Sequence, residues 1–310
     1  MTGRWTAARF VQGRHRSTGI DVGGDEVRVA VLSRRGRVPD VRIEGLEREP
    51  VAVSAGPDAA RWAAVARALA AAAARLSAAG VRCDARGVMA LRDDEMHVAT
   101  LDLAGRADVA DAARQAAERI SGLAPDAVAY DWRQDDDEPA GEIAVAAAPL
   151  ALLERRIDVA AQAGIDLTAV DGESAAALRA LRYAAQFELD AQGAYAALWF
   201  SDTGVRGWRV DGALASPALA LALSTGMTAA FAEALRHGTL GSARCVLVAG
   251  DERSIGRFGL SIADIGDVLG ANAVPFDCIG WDGRPSAPAG ASSCPAFAVA
   301  FGLALRGVWE

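Results

Sequence analysis

Two stretches of this chain, about 180 residues apart, begin in the same way. The first is Gly19-Ile20-Asp21-Val22-Gly23-Gly24, followed by the alternating run Val27-Arg28-Val29-Ala30-Val31-Leu32. The second is Leu198-Trp199-Phe200-Ser201-Asp202-Thr203-Gly204, followed by Gly207-Trp208-Arg209-Val210. Each reads as an apolar strand that ends in Asp-x-Gly, turns tightly and returns as a second strand. Such a turn lets backbone N–H groups approach phosphate, and its Asp can hold a hydrated metal ion. Two of them predict two related halves whose turns face each other across a cleft. The plainer alternative, that Asp21 and Asp202 are only turn residues capping strand ends, stays open at this level.

Composition narrows the chemistry. A length of 310 residues suits about two domains. With 52% hydrophobic and 23% charged residues, a sizeable core is readily buried. The net charge of −8 argues against a general nucleic-acid binder. All 32 basic residues are arginine, which excludes a Walker A loop, a protein-kinase lysine and Schiff-base chemistry. Phosphate chemistry would have to use backbone amides, Asp–metal contacts or Arg. Cys83, Cys245, Cys278 and Cys294 form no C-x-x-C pair, and His15, His97 and His237 lie far apart, so no zinc spacing exists. Free thiols in a reducing compartment are expected. No local signature supports a Ser-His-Asp or Cys-His site. No long uncharged apolar run and no signal peptide is visible, which predicts a cytoplasmic protein.

Along the chain, residues 1–18 form a basic arm carrying Arg4, Arg9, Arg14 and Arg16 with Trp5 and Phe10. It reads as a solvated tail, with contact to an anionic membrane as the alternative. Strands are predicted at 19–32 and 38–46, a helix at 58–79 stopped by Gly80, and a strand at 86–91. Residues 96–166 then read as strand, helix, strand, strand and helix, an inserted subdomain with a solvated acidic turn at Asp135–Pro139. Asp171-Gly172-Glu173-Ser174 leads into a helix at Ala175–Phe187 before the second hairpin. A helix at 225–237, a buried strand at Cys245–Gly250, a helix at Ile262–Leu269 and an extended piece at Val274–Phe276 follow. Residues 282–294 read as a loop, and Pro295–Arg306 as a closing apolar helix. Trp132 and Trp199 look like core strand residues, and Trp208 reads as half exposed.

In this order the pieces resemble the actin, Hsp70 and sugar kinase superfamily. The resemblance implies an α/β protein of the actin-like ATPase fold: two RNase H-like halves with a small inserted α+β subdomain. The implied domains are the arm at 1–18, the first half at 19–95, the insert at 96–166, and at 167–310 a connecting helix, the second half and the closing helix. Within the superfamily the chain is most similar to the PilM family of type IV pilus assembly proteins. Three things carry this: Gly19-Ile20-Asp21-Val22-Gly23 after a short basic arm; the insert, of the kind shared with the cell-division protein FtsA, with its exit Arg155-Arg156-Ile157-Asp158-Val159 to Val170-Asp171-Gly172-Glu173; and the ending Phe297-Ala298-Val299-Ala300-Phe301-Gly302-Leu303-Ala304-Leu305-Arg306.

The family implies a role at the cytoplasmic face of the inner membrane. Its members bind the cytoplasmic N-terminal peptide of the membrane protein PilN in a groove involving the small subdomain, and help link the pilus platform to its motor proteins. It implies ATP and Mg2+ in the cleft, with Asp21, Gly23, Gly24, Asp202, Gly204 and Gly250 at the nucleotide and Asp21, Asp202 and Glu173 at the metal. Several residues depart from that pattern. Gly24 stands where Ser or Thr is usual and is followed by Asp25 and Glu26; Arg28 replaces the usual Lys; the segment from Leu214 to Cys245 is short; and the adenosine loop is Gly250-Asp251-Glu252. Added carboxylates beside a triphosphate repel it. The expectation is therefore a non-enzymatic adaptor with a degenerate ATP site. Glu173 also reads simply as a first-turn acid favoured by the helix dipole. Two alternatives remain: a sugar kinase or other ATP-dependent enzyme of the same superfamily, and an FtsA-like filament protein, with self-association open.

Overall fold

The computed structural model describes residues 14–35, 41–52, 58–83, 86–103, 108–134, 141–189, 193–224, 227–238, 240, 243–278 and 294–309. Most of the arm, the acidic turn and most of the 282–294 segment therefore lie outside the described residues.

The first half begins with β1 (Arg14–Val22), β2 (Glu26–Arg35) and β3 (Arg42–Pro50), an antiparallel meander. Helix α1 (Asp58–Ala78) then leads to β4 (Gly87–Leu91), parallel to β1. Trp62, Val65, Leu69, Ala72 and Leu76 recur at three- and four-residue spacing, so one face of α1 is apolar and buries against β1 and β2. Beyond the helix, Gly80 takes the left-handed backbone that glycine adopts without strain.

The insert follows: β5 (His97–Asp102), α2 (Val109–Ser121), β6 (Val128–Arg133) and β7 (Glu142–Pro149). Its antiparallel sheet has the order β5-β7-β6. Leu101, Ile143, Val145 and Ala147 pack on Ala112, Ala113, Ala116 and Ala117 of α2, giving the insert its own small core. Asp108 caps α2 by accepting the Asp111 N–H, and Gly122 closes it. Helix α3 (Leu150–Gln162) then returns the chain to the first half. Its Arg156 is 2% exposed, donates to the Ala90 carbonyl at 2.8 Å, pairs with Glu95 and lies over the Trp62 ring.

β8 (Leu167–Gly172) completes a first sheet of order β3-β2-β1-β4-β8. After helix α4 (Glu173–Glu188) come β9 (Tyr195–Phe200), β10 (Gly204–Asp211) and β11 (Leu214–Ala222). Helix α5 (Met227–His237), β12 (Cys245–Ala249), the short α6 (Glu252–Arg257), α7 (Ile262–Leu269) and β13 (Asn272–Pro275) follow. The second sheet has the order β11-β10-β9-β12-β13, the same meander plus two parallel strands as the first. A 3-10 turn at Cys294–Phe297 opens the closing helix α8 (Ala298–Trp309).

The two connecting helices sit between the sheets, α8 on β1, β2 and β4, and α4 on β9, β12 and α8. They cross almost backbone to backbone, since a Cβ on Gly302 would lie 1.9 Å from the Ala176 carbonyl oxygen; β1 approaches α8 as closely, a Cβ on Gly19 falling 1.9 Å from the Ala300 carbonyl oxygen. Only small residues allow this approach.

Several local expectations change. Strand β1 starts at Arg14, not Gly19, because Ser17 and Thr18 are fully buried and their hydroxyls donate to the Arg86 and Cys83 carbonyls. Helix α4 starts at Glu173, since Asp171 and Gly172 still pair with β4. The return strand β11 was not visible in the sequence; by covering the free edge of β10 it helps to bury Trp208, which is 9% exposed rather than half exposed. Trp132 is 38% exposed, not core, because it lies on the edge strand of a sheet covered by one short helix. Trp199 is buried as expected.

Candidate functional site

The hairpin registers place the two turns. Asp21 pairs with Arg28 and Val22 with Val27 in the first, and Phe200 with Val205 in the second. The Gly23 N–H donates back to the Glu26 carbonyl at 2.9 Å. In the second turn, the Ser201 hydroxyl accepts from the N–H groups of Thr203 at 3.3 Å and Gly204 at 3.1 Å. The tips touch: the Gly24 N–H donates to Asp202 Oδ2 at 2.5 Å. A Cβ on Gly24 would lie 2.7 Å from that oxygen, so a larger residue here would push the Asp202 carboxylate aside.

Arg28 is the centre of the cleft. The antiparallel register aims it at the end of the hairpin, where its Nη1 donates to Asp21 Oδ2 at 2.9 Å and its Nε to Glu26 Oε1 at 2.5 Å. Its Nη2 donates to Asp251 Oδ2 of the second half at 3.0 Å. The side chain is 10% exposed, and the three carboxylates hold the guanidinium firmly in its charged form. Asp251 also caps α6 through Oδ1, which accepts the Ser254 N–H at 2.6 Å. Burial pushes the Asp21 carboxyl up, and Arg28 pulls it back.

Further contacts cross between the halves. Arg253 pairs with Asp25 at 3.1 Å and Arg206 with Asp93 at 2.9 Å. The Asp93 N–H donates to Glu173 Oε1 at 3.2 Å. Burial, with the nearby Asp21 charge, pushes the Glu173 carboxyl up to about 8, so it is largely protonated at neutral pH.

Asp21, Asp202 and Glu173 thus line one cleft, with Gly23, Gly24 and Gly250 also on its wall. Gly204 lies beside it, where a Cβ would meet the Leu221 carbonyl oxygen at 2.2 Å. Gly250 has φ +124°, and a Cβ there would stand 2.5 Å from the Phe200 carbonyl oxygen. These residues do not fit Mg–ATP in this arrangement. The cleft holds about 80 Å³, against roughly 300–1,000 Å³ for sites that enclose a small molecule. The turn amides named above are already engaged, and Arg28 occupies Asp21. Among the described residues, no group of three His, Cys, Asp or Glu side chains has metal-binding spacing.

A second concavity, of about 560 Å³, runs between the insert and the first half. Its floor includes Ala144 and Ala146 of β7, its walls Val98 and Trp132 on one side and Val170 and Arg306 on the other. Val98 is 61% exposed and Tyr130, also on the wall, 39%. The groove is bordered by β6 and β8, edge strands of two different sheets. The family resemblance alone implied a groove near the insert. The one local signal was alternation in β7, whose even-numbered alanines face away from α2.

No family model matches the chain, and no curated protein is detectably similar to it in sequence. Comparison with solved structures is informative. The PilM–PilN type IV pilus biogenesis complex matches with a TM-score of 0.65 and 20% identity, over 94% of this chain and 98% of that chain. The chain shares the fold of PilM. More distant likenesses include a Bacteroides thetaiotaomicron protein of unknown function with an actin-like ATPase fold, at TM-score 0.46 and 6% identity over 86% of this chain and 93% of that one. The cytoplasmic domain of EpsL, an inner-membrane component of the Vibrio cholerae type II secretion system, follows at 0.41 and 10%, over 75% and 81%. The two related α/β halves expected from the paired hairpins are observed, in a fold shared with PilM. No helix among the described residues is long and apolar enough to cross a membrane.

Proposed function

We propose that this protein is a PilM-like adaptor of type IV pilus biogenesis. It binds the cytoplasmic N-terminal peptide of a PilN-like inner-membrane protein and thereby sits at the cytoplasmic face of that membrane, next to the pilus platform and motor proteins. The observation that carries this reading is the groove between insert and first half, in a fold matching PilM over nearly the whole chain. Its alanine floor leaves room for an extended chain, and its apolar walls would bury that chain's side chains. Edge strands β6 and β8 border it on both sides, and a sheet edge commonly captures an extended peptide through main-chain hydrogen bonds.

The cleft reads as a degenerate ATP site in the same proposal, and the protein as an adaptor rather than an enzyme. A kinase of this fold would need a cleft that admits nucleotide and substrate together.

The test is a fluorescence-anisotropy titration with a labelled N-terminal peptide of the PilN-like protein made alongside this one. Saturable binding is expected, lost in Ala146→Arg, which fills the groove floor, and retained in Asp21→Asn. Absence of binding at millimolar peptide would sink the adaptor reading. For the cleft, calorimetry with Mg–ATP should show no heat; binding that Asp21→Asn abolishes would restore a working nucleotide site.

A further inference from the structure

We propose that Arg28 is a built-in cation that latches the two halves closed, in place of any bound metal or nucleotide. Closure in this chain is therefore intrinsic. One guanidinium joins Asp21 and Glu26 of the first half to Asp251 of the second, at 2.9, 2.5 and 3.0 Å. These are three charge-assisted contacts from three different nitrogens, the geometry for which an arginine fork is suited and a lysine is not.

The latch is more than a surface ion pair, because Arg28 is buried and its partners come from opposite sides of the cleft. Removing one member of a buried pair strands the others without compensation. Asp21 is itself 4% exposed, so losing Arg28 would leave a buried carboxyl beside Glu26 and Asp202 without its guanidinium partner. Two neighbouring contacts lie on the same seam: Gly24 N–H to Asp202, and Arg253 to Asp25. Together they close the hairpin tips against each other at the place where the paired-turn motif would admit phosphate. The departures at Gly24, Asp25, Glu26 and Asp251 then form one set. Each contributes a group or a space that the latch uses.

This deepens the reading of the cleft as a site without nucleotide, and its test is separable from that reading's. In Arg28→Ala, the melting temperature should fall by several degrees. Millimolar methylguanidinium, which refills the vacated guanidinium position, should restore much of the loss while leaving the wild-type protein unchanged. Asp251→Asn supplies a second measurement that does not depend on the folding of Arg28→Ala. Asparagine still caps α6, but the charge that ties Arg28 to the second half is gone. Amide hydrogen exchange at Gly23, Gly24 and Thr203 should then rise several-fold, with exchange in β1 and β9 unchanged. Unaltered exchange in Asp251→Asn, or an Arg28→Ala protein indifferent to methylguanidinium, would overturn the latch while leaving the adaptor reading standing. Mg–ATP binding that protects the same amides in the wild-type protein would overturn the latch together with the degenerate-site reading, and the peptide titration would still decide the adaptor reading.

Discussion

Glu173 shows how one residue can carry two readings. As a first-turn acid it suits the positive end of α4. Its surroundings, however, desolvate it beside Asp21 and raise its carboxyl to about 8. The unfolded chain ionises this group near 4.5 and the folded chain only near 8. Between those values the folded state holds the extra proton, so Glu173 costs stability progressively as pH rises, by up to about 1.4 kcal/mol per pH unit. Glu173→Gln keeps an oxygen to accept the Asp93 N–H and removes the ionisation. The variant should gain stability over wild type as pH rises from 5 to 8 and hold a constant lead above that range, as read by urea unfolding at several pH values. A second residue-scale test is Gly302→Val. Its side chain would meet the Ala176 backbone at 1.9 Å, so the helices must part. A loss on the order of 3 kcal/mol or more is expected in the same assay.

At the scale of elements, the insert has its own small core, and a buried arginine helps tether it to the first half. Ile143 is fully buried between β7 and α2. Ile143→Ala should cost about 2–5 kcal/mol, felt chiefly within residues 97–149. Proteolysis should therefore cut the insert before either half. The tether is Arg156, held by Ala90, Leu152 and Glu95 and lying over Trp62. Arg156→Ala leaves Glu95 without its buried partner and removes a guanidinium from the seam between α3 and α1. Peptide affinity in the groove should then drop about tenfold or more, since one groove wall moves relative to the other; an unchanged affinity would mean the walls are positioned by something else. The elements themselves were mostly legible beforehand. The α1 stripe, the Asp108 cap and the alternation of β2 are local patterns that act at short range in the chain. Where reading failed, the deciding contact was distant. Strand β11 carries Leu-Ala repeats without β-branched residues, and only its pairing with β10 makes it a strand. Trp132 satisfies strand propensity equally well inside a sheet or at its edge, and the three-stranded order puts it at the edge.

At the scale of the whole molecule, the two halves repeat one sheet order, and the crossing of α4 and α8 sets how far apart they stand. Their tight approach brings the hairpin tips together, and the closed cleft follows. The chain by itself determined the duplicated hairpins, the insert between them and the small-residue helices that cross, because each is written in local periodicity, turn chemistry and residue size. Resemblance, not local pattern, named Asp21, Asp202 and Glu173 for one site; in the structure all three line one cleft. The contacts across that cleft and the groove beside the insert arise only once the elements have packed. Arg28 meets Asp251 across 223 residues of chain, and Gly24 meets Asp202 across 178. No local pattern encodes such pairs, since they depend on the summed packing of every element between them. The groove likewise belongs to two separate sheets, and its walls are not neighbours until both have folded and α3 has pinned one to the other.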